Sequence, residues 1–130
     1  MGPLSAHHRS IHPYIHTINQ NSYVSPEGVY GSLLDWHAAD AWSLGICLYI
    51  LLTKRPLYAH PDDRAFDILA TGGAPALLRH YATAYGLTLP DGAMELVTAL
   101  LRPNPRDRPT VEEVLVHPWV RPALEDAGHY

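Results

Sequence analysis

Ala41-Trp42-Ser43-Leu44-Gly45-Ile46-Cys47-Leu48-Tyr49-Ile50-Leu51-Leu52-Thr53 is the stretch on which the reading of this chain turns. As a helix it is apolar on nearly every face, so it is not an amphipathic surface helix. A helix of that kind belongs in the middle of a fold, covered on all sides. Asp40 stands where an N-cap carboxylate would accept orphan amide hydrogens and meet the positive end of the helix dipole. Lys54 and Arg55 follow at the end that favours cations, and Pro56 stops the helix. The run is about half of what a bilayer demands, so a buried helix accounts for it better than a membrane span.

The residues after it also read as helices. Asp63 to Ala70 carries Phe66, Ile68 and Leu69 and ends at Gly72-Gly73. Ala76 to Tyr85 sets Leu77, Leu78, Tyr81 and Tyr85 at helical spacing. Asp91 to Leu101, with Asp91 as cap, puts Met94, Val97, Leu100 and Leu101 on one face. Pro103, Pro105 and Pro109 enforce a rigid turn. Thr110-Val111-Glu112-Glu113 then has the Thr-x-x-Glu form of a capping box and opens a last helix reaching about His117, before Pro118-Trp119. Upstream, Ser25 to Asp40 predicts a short helical or irregular stretch broken by Gly28 and Gly31. Residues 1–24 show no sustained period and predict an extended surface segment, and residues 122–130 predict a tail. No segment reads as a strand. The fold class is all-α.

Composition narrows the function. The 130 residues hold 9 basic and 13 acidic side chains, a formal charge of −4. So few cations cannot neutralise a nucleic acid or serve a polybasic membrane surface. One cysteine, Cys47, excludes an internal disulfide and reads as a small core residue. Met1-Gly2-Pro3-Leu4-Ser5 lacks the basic head and apolar stretch of a signal peptide, which predicts an intracellular, cytoplasmic protein. His8, His12 and His16 are spaced by four beside His7, as helical metal ligands would be. Pro13 interrupts that helix, and a solvated histidine-rich loop is the reading that remains; no metal is expected.

The order of four pieces carries a resemblance. Ser25-Pro26-Glu27 comes first, then Asp40-Ala41-Trp42-Ser43-Leu44-Gly45, then Arg108 after the proline-rich turn, then His117-Pro118-Trp119. In that order they resemble the C-terminal lobe of a eukaryotic Ser/Thr protein kinase over residues 20–120. Ser-Pro-Glu stands where the family has Ala-Pro-Glu, closing the activation segment. The resemblance implies a helical lobe over residues 25–121 without the small β lobe, preceded by a partial activation segment over 1–24. It implies that Asp40 holds the catalytic-loop backbone, and that Trp42 and Gly45 open the central buried helix. It also implies that Glu27 pairs with Arg108 and pins the activation segment to the helical base. Tyr23 and Pro26 fit the loop that receives the residue after the phosphoacceptor.

The family's catalytic parts are not among these residues. No G-x-G-x-x-G, His-Arg-Asp or Asp-Phe-Gly occurs, and Lys54 is the single lysine. His8-Arg9-Ser10 lacks the aspartate and lies too close to Ser25. Counting back from Ser25, the chain begins at or just past the metal-binding aspartate. Asn19-Gln20 replaces an expected Gly-Thr, which weakens contact with a catalytic loop. Thr17, Ser22 and Tyr23 lie where activation segments are phosphorylated, but the arginine that would read the phosphate is not present, so such regulation is not expected. Phosphoryl transfer needs those missing groups. ATP and Mg2+ are therefore the parent family's cofactors, and no catalytic, cofactor-binding or metal residue is assigned here. Two functions stay open. One is part of an ATP-dependent Ser/Thr kinase, inactive by itself; the other is a non-catalytic, pseudokinase-like module that binds protein partners through its helical lobe or self-associates.

Overall fold

The central run forms the longest helix among the described residues, but that helix begins earlier than its apolar pattern suggests. The computed structural model describes residues 20–31 and 35–127. After a 3-10 turn at Gln20–Tyr23 come α1 (Pro26–Val29), α2 (Trp36–Thr53), α3 (Arg64–Ala70), α4 (Ala74–Tyr85) and α5 (Asp91–Leu100). A 3-10 turn at Pro105–Asp107 leads to α6 (Val111–Leu115) and α7 (Arg121–Ala127). No strand occurs among the described residues.

Asp40 is not the cap of α2. Asp35 is: its Oδ1 accepts from the amides of His37 (2.9 Å) and Ala38 (3.3 Å), so the helix gains a turn before the apolar run. Asp40 lies inside that added turn, exposed. At the far end Lys54 closes the helix in the left-handed conformation (φ 61°), its amide bonded to the Ile50 carbonyl.

α2 buries one face and opens another. Trp42, Gly45, Ile46, Tyr49 and Thr53 are buried, against α5 above all. Gly45 permits this: a Cβ there would stand 2.9 Å from the Leu100 Cβ and 3.0 Å from Leu101 Cδ2, too close to fit. On the other side Leu44 is 40% and Leu51 68% exposed. The all-round covering expected of an apolar helix is thus absent on that side.

The rest encloses the buried face. Phe66 of α3 meets Trp42 and Tyr58 edge-to-face, with centroids 6.3 and 5.0 Å apart. Asp63 precedes α3, and its Oδ2 accepts from Ala59 (2.7 Å) and His60 (3.1 Å) to close the loop after α2. α4 starts two residues before its predicted Ala76, with Pro75 in its first turn. Pro90, and not Asp91, holds the N-cap position of α5. Gly28 lies inside α1 and does not break it. The capping box forms: Thr110 Oγ1 accepts from the Glu113 amide (3.2 Å), and Glu113 Oε1 from the Thr110 amide (2.9 Å). α6 ends at Leu115, and Trp119 lies over Gly92, where a Cβ would come within 2.8 Å. α7 (Arg121–Ala127) takes up most of the 122–130 stretch expected as tail, and none of its residues is buried.

Candidate functional site: the anchored segment at residues 22–27

Ser25 is extended (φ −77°, ψ 160°), and its Oγ accepts from the Gly28 amide at 3.3 Å, the N-cap arrangement that starts α1. Pro26 follows with its ring-fixed φ at the first helical position, where no amide hydrogen is needed. The short helix then carries the Glu27 side chain inward rather than to solvent.

There it meets Arg108, 81 residues on. Nη1 donates to Glu27 Oε2 at 2.6 Å and Nη2 to Oε1 at 2.8 Å, a two-pronged pair. The other N–H groups reach carbonyls: Nε that of Arg102 (2.8 Å), Nη1 that of Ala38 (2.9 Å), Nη2 that of Pro103 (3.2 Å). Each of the five N–H groups of the guanidinium therefore has an acceptor. The side chains are 0% and 7% exposed, and the Trp42 ring lies 5.1 Å from the guanidinium carbon. Burial by itself would raise the Glu27 pKa, but the Arg108 hydrogen bonds, backbone donors and the Arg108 charge together hold it below its ordinary value. One side chain thus joins α1, the first turn of α2 and the turn before α6.

Trp42 also works through its edge. Its indole N–H donates to the Tyr58 hydroxyl at 2.9 Å, and that hydroxyl donates to the Val24 carbonyl at 2.7 Å. Burial pushes the Tyr58 pKa well above the ordinary tyrosine value, so the hydroxyl keeps its proton and stays a donor. Ser43 Oγ donates to the preceding carbonyl, of Tyr23, at 3.1 Å. The Tyr23 side chain is half-buried against the core, and Pro26 is buried.

The sequence of the chain matches the protein kinase domain family over residues 4–120. This chain belongs to the protein kinase family. Among its kinase relatives, calcium-dependent protein kinase 15 of Oryza sativa subsp. japonica is 36% identical over 103 residues, 76% of this chain and 17% of that protein. A calcium and calcium/calmodulin-dependent serine/threonine-protein kinase of Lilium longiflorum is 33% identical over 108 residues, 83% of this chain and 20% of its own length. The serine/threonine-protein kinase DCLK3 of Mus musculus is 32% identical over 126 residues, 92% of this chain and 14% of its own. The chain thus spans a fifth or less of the length of these relatives. The all-α architecture is that of a kinase C-terminal-lobe fragment, as the motif order implied.

The kinase fragment brings together Ser25, Pro26, Glu27, Trp42 and Arg108, and places Gly45 one turn along α2 from Trp42. Asp40 stands apart, exposed on α2. Protein kinases use ATP with Mg2+, and the described residues do not fit such a site. Their lysine ends α2, and no three His, Cys, Asp or Glu side chains among them are placed to hold a metal ion. Among the described residues, no helix is long and apolar enough to cross a membrane. His7, His8, His12, His16, Thr17 and Asn19, with the histidine cluster and Met1–Ser5, lie outside the described residues. Sequence reasoning missed Tyr58 and Asp35, and placed Ser43 in the Asp40–Gly45 motif without its partner. Asp35 had a local signal, an acid before an unbroken helical run; the partners of Tyr58 and Ser43 are distant in sequence and left none.

Proposed function

We propose that these residues form the substrate-side helical base of a Ser/Thr protein kinase catalytic domain. The parent activity is ATP- and Mg2+-dependent phosphorylation of protein Ser or Thr, and the 130 residues are not catalytic by themselves. The observation that carries the reading is the buried Glu27–Arg108 pair, which ties a Ser-Pro-Glu turn to the helical base across 81 residues. A base of this kind holds the segment against which a protein substrate is positioned, and positioning is much of what phosphoryl transfer asks of a protein. Tyr23 and Pro26 are the candidates for receiving the substrate residue after the phosphoacceptor. The reading places the protein inside the cell, where ATP is available.

The test has two parts. The purified chain should show no ATP–Mg2+-induced thermal shift and no labelled-phosphate transfer above a blank; either signal overturns the claim that it is inactive alone. Sequencing the transcript upstream of the Met1 codon should show in-frame codons for Asp-Phe-Gly, His-Arg-Asp and a lysine-bearing small lobe. Their absence would favour the second reading, a non-catalytic module that docks proteins. That alternative draws support from the open apolar side chains of α2, with Trp36 72% and Leu51 68% exposed. On either reading nucleic acid and membrane are not the partners, and self-association through that face is expected at high concentration.

A further inference from the structure

We propose that Tyr58 and Ser43 are the positioning residues of the substrate-facing segment, fixing its backbone by holding two consecutive carbonyls. Tyr58 holds Val24 O at 2.7 Å and Ser43 holds Tyr23 O at 3.1 Å. The two supports come from different elements, Ser43 from α2 and Tyr58 from the loop that follows it. Two hydrogen bonds on adjacent peptide units fix the peptide orientation, which a single bond leaves free to pivot. The Tyr58 support is itself pre-set. Its ring is 3% exposed and packs edge-on against Phe66, and the Trp42 indole occupies its acceptor side, so the remaining hydroxyl proton has one direction to point. The same indole flanks the guanidinium that grips Glu27. Trp42 therefore sits behind both ends of the turn, Val24 through Tyr58 and Glu27 through Arg108. The turn is clamped at two points, and between them lie Ser25 and Pro26.

This inference rests on the proposed function only for the phrase substrate-facing, and the experiment separates the two. Tyr58→Phe deletes one oxygen and keeps the ring; Ser43→Ala deletes the other support. Hydrogen exchange on the full 130-residue chain reads the amides of Gly28, Val29 and Tyr30, which close α1 onto Ser25 Oγ, Ser25 O and Pro26 O. Each variant should speed exchange of these amides about tenfold, the factor equivalent to one net hydrogen bond. Amides of α5 should keep their rates. Unchanged exchange in α1, or equal acceleration in α1 and α5, overturns the clamp; should Tyr58→Phe fail to fold, Ser43→Ala decides alone. A second measurement titrates the labelled chain with a short peptide in which a serine precedes an apolar residue. Shifts at residues 22–26 that weaken several-fold in Tyr58→Phe support the whole proposal. A clamp seen by exchange, with no peptide-induced shift in the unsubstituted chain, keeps the positioning role and overturns the substrate-facing reading.

Discussion

Two guanidinium–carboxylate pairs among the described residues stand under opposite conditions. Arg108–Glu27 joins residues 81 apart and is sealed from solvent, with side chains 0% and 7% exposed. Arg121–Glu125 joins successive turns of α7 at 3.1 Å, with side chains 67% and 64% exposed. Water screens the second pair and can replace either partner, so its worth is small. In the first pair no water stands ready to solvate a charge left alone, and the cost of breaking it is the cost of an uncompensated buried ion. The lesson is that the buried pair is costly to break because its partners come from three places at once: the observed arrangement of α1, α2 and the turn before α6 satisfies all five N–H groups.

Breaking the buried pair is the largest effect expected. Glu27→Ala and Arg108→Ala should each destabilise by about 3–5 kcal/mol in denaturant melts. The double variant should cost clearly less than the sum, because the second deletion removes the charge the first left stranded. Arg108→Lys should not rescue, since one ammonium cannot reproduce the two-pronged contact and three carbonyl bonds. Additive losses would show that the pair is not coupled and would remove the contrast with α7.

A second contrast lies within α2 itself. Gly45→Ala forces a methyl group to within 2.9 Å of the Leu100 Cβ, and overpacking of that kind costs about 1–3 kcal/mol. Leu51→Gln, on the open face of the same helix, should change stability by less than about 0.5 kcal/mol and should raise solubility. Equal losses at the two positions would mean that the faces are not different.

The pH dependence sharpens the first comparison. The folded-state pKa of Glu27 is held below its ordinary value of 4.5, so its contribution is full above the unfolded value and is lost as pH falls through the folded one. Melts from about pH 7 down to about pH 3 should show a loss of stability that Glu27→Gln flattens at its acid end. An unchanged acid slope in that variant would mean that another carboxylate carries it.

Much of the fold was legible because its signals are local or ordered. Helix periodicity, the Thr110–Glu113 box and the proline turn each depend on residues a few positions apart. Glu27 and Arg108 were legible only through the order of motifs, since no local pattern joins residues 81 apart. The start of α2 was misplaced because Trp36-His37-Ala38-Ala39 add a turn that the apolar run does not announce, with Asp35 as its cap. The open face of α2 does not show in the apolar run itself, because an apolar side chain in the sequence does not record whether anything covers it; only the absence of the small lobe from the resemblance pointed to it. Tyr58 was not singled out, because its value lies in two distant bonds and not in its neighbours.

Lys54 tests the backbone by itself. It holds φ 61° at the end of α2, a conformation that costs a side-chain-bearing residue about 1 kcal/mol and glycine almost nothing. Lys54→Gly should therefore stabilise the chain by about that amount, less the extra freedom glycine gains when unfolded. A loss of stability would mean that the lysine side chain or its charge at the helix end outweighs the strain.

The smallest effect is expected at the exposed pair, and it closes the comparison. α7 has seven residues, below the length at which an isolated helix holds in water, and none of them is buried. What supports it locally is the Arg121–Glu125 contact and a turn in which the amides of Ala123 and Leu124 bond to Val120 O. Glu125→Ala should change global stability by less than about 0.5 kcal/mol, an effect that salt should abolish. The amides of α7 should also exchange far faster than those of α5, whose Leu96, Val97 and Leu100 are buried. If Glu125→Ala instead cost as much as Glu27→Ala, exposure would not be the variable that separates the two pairs, and the argument from burial would fail at both.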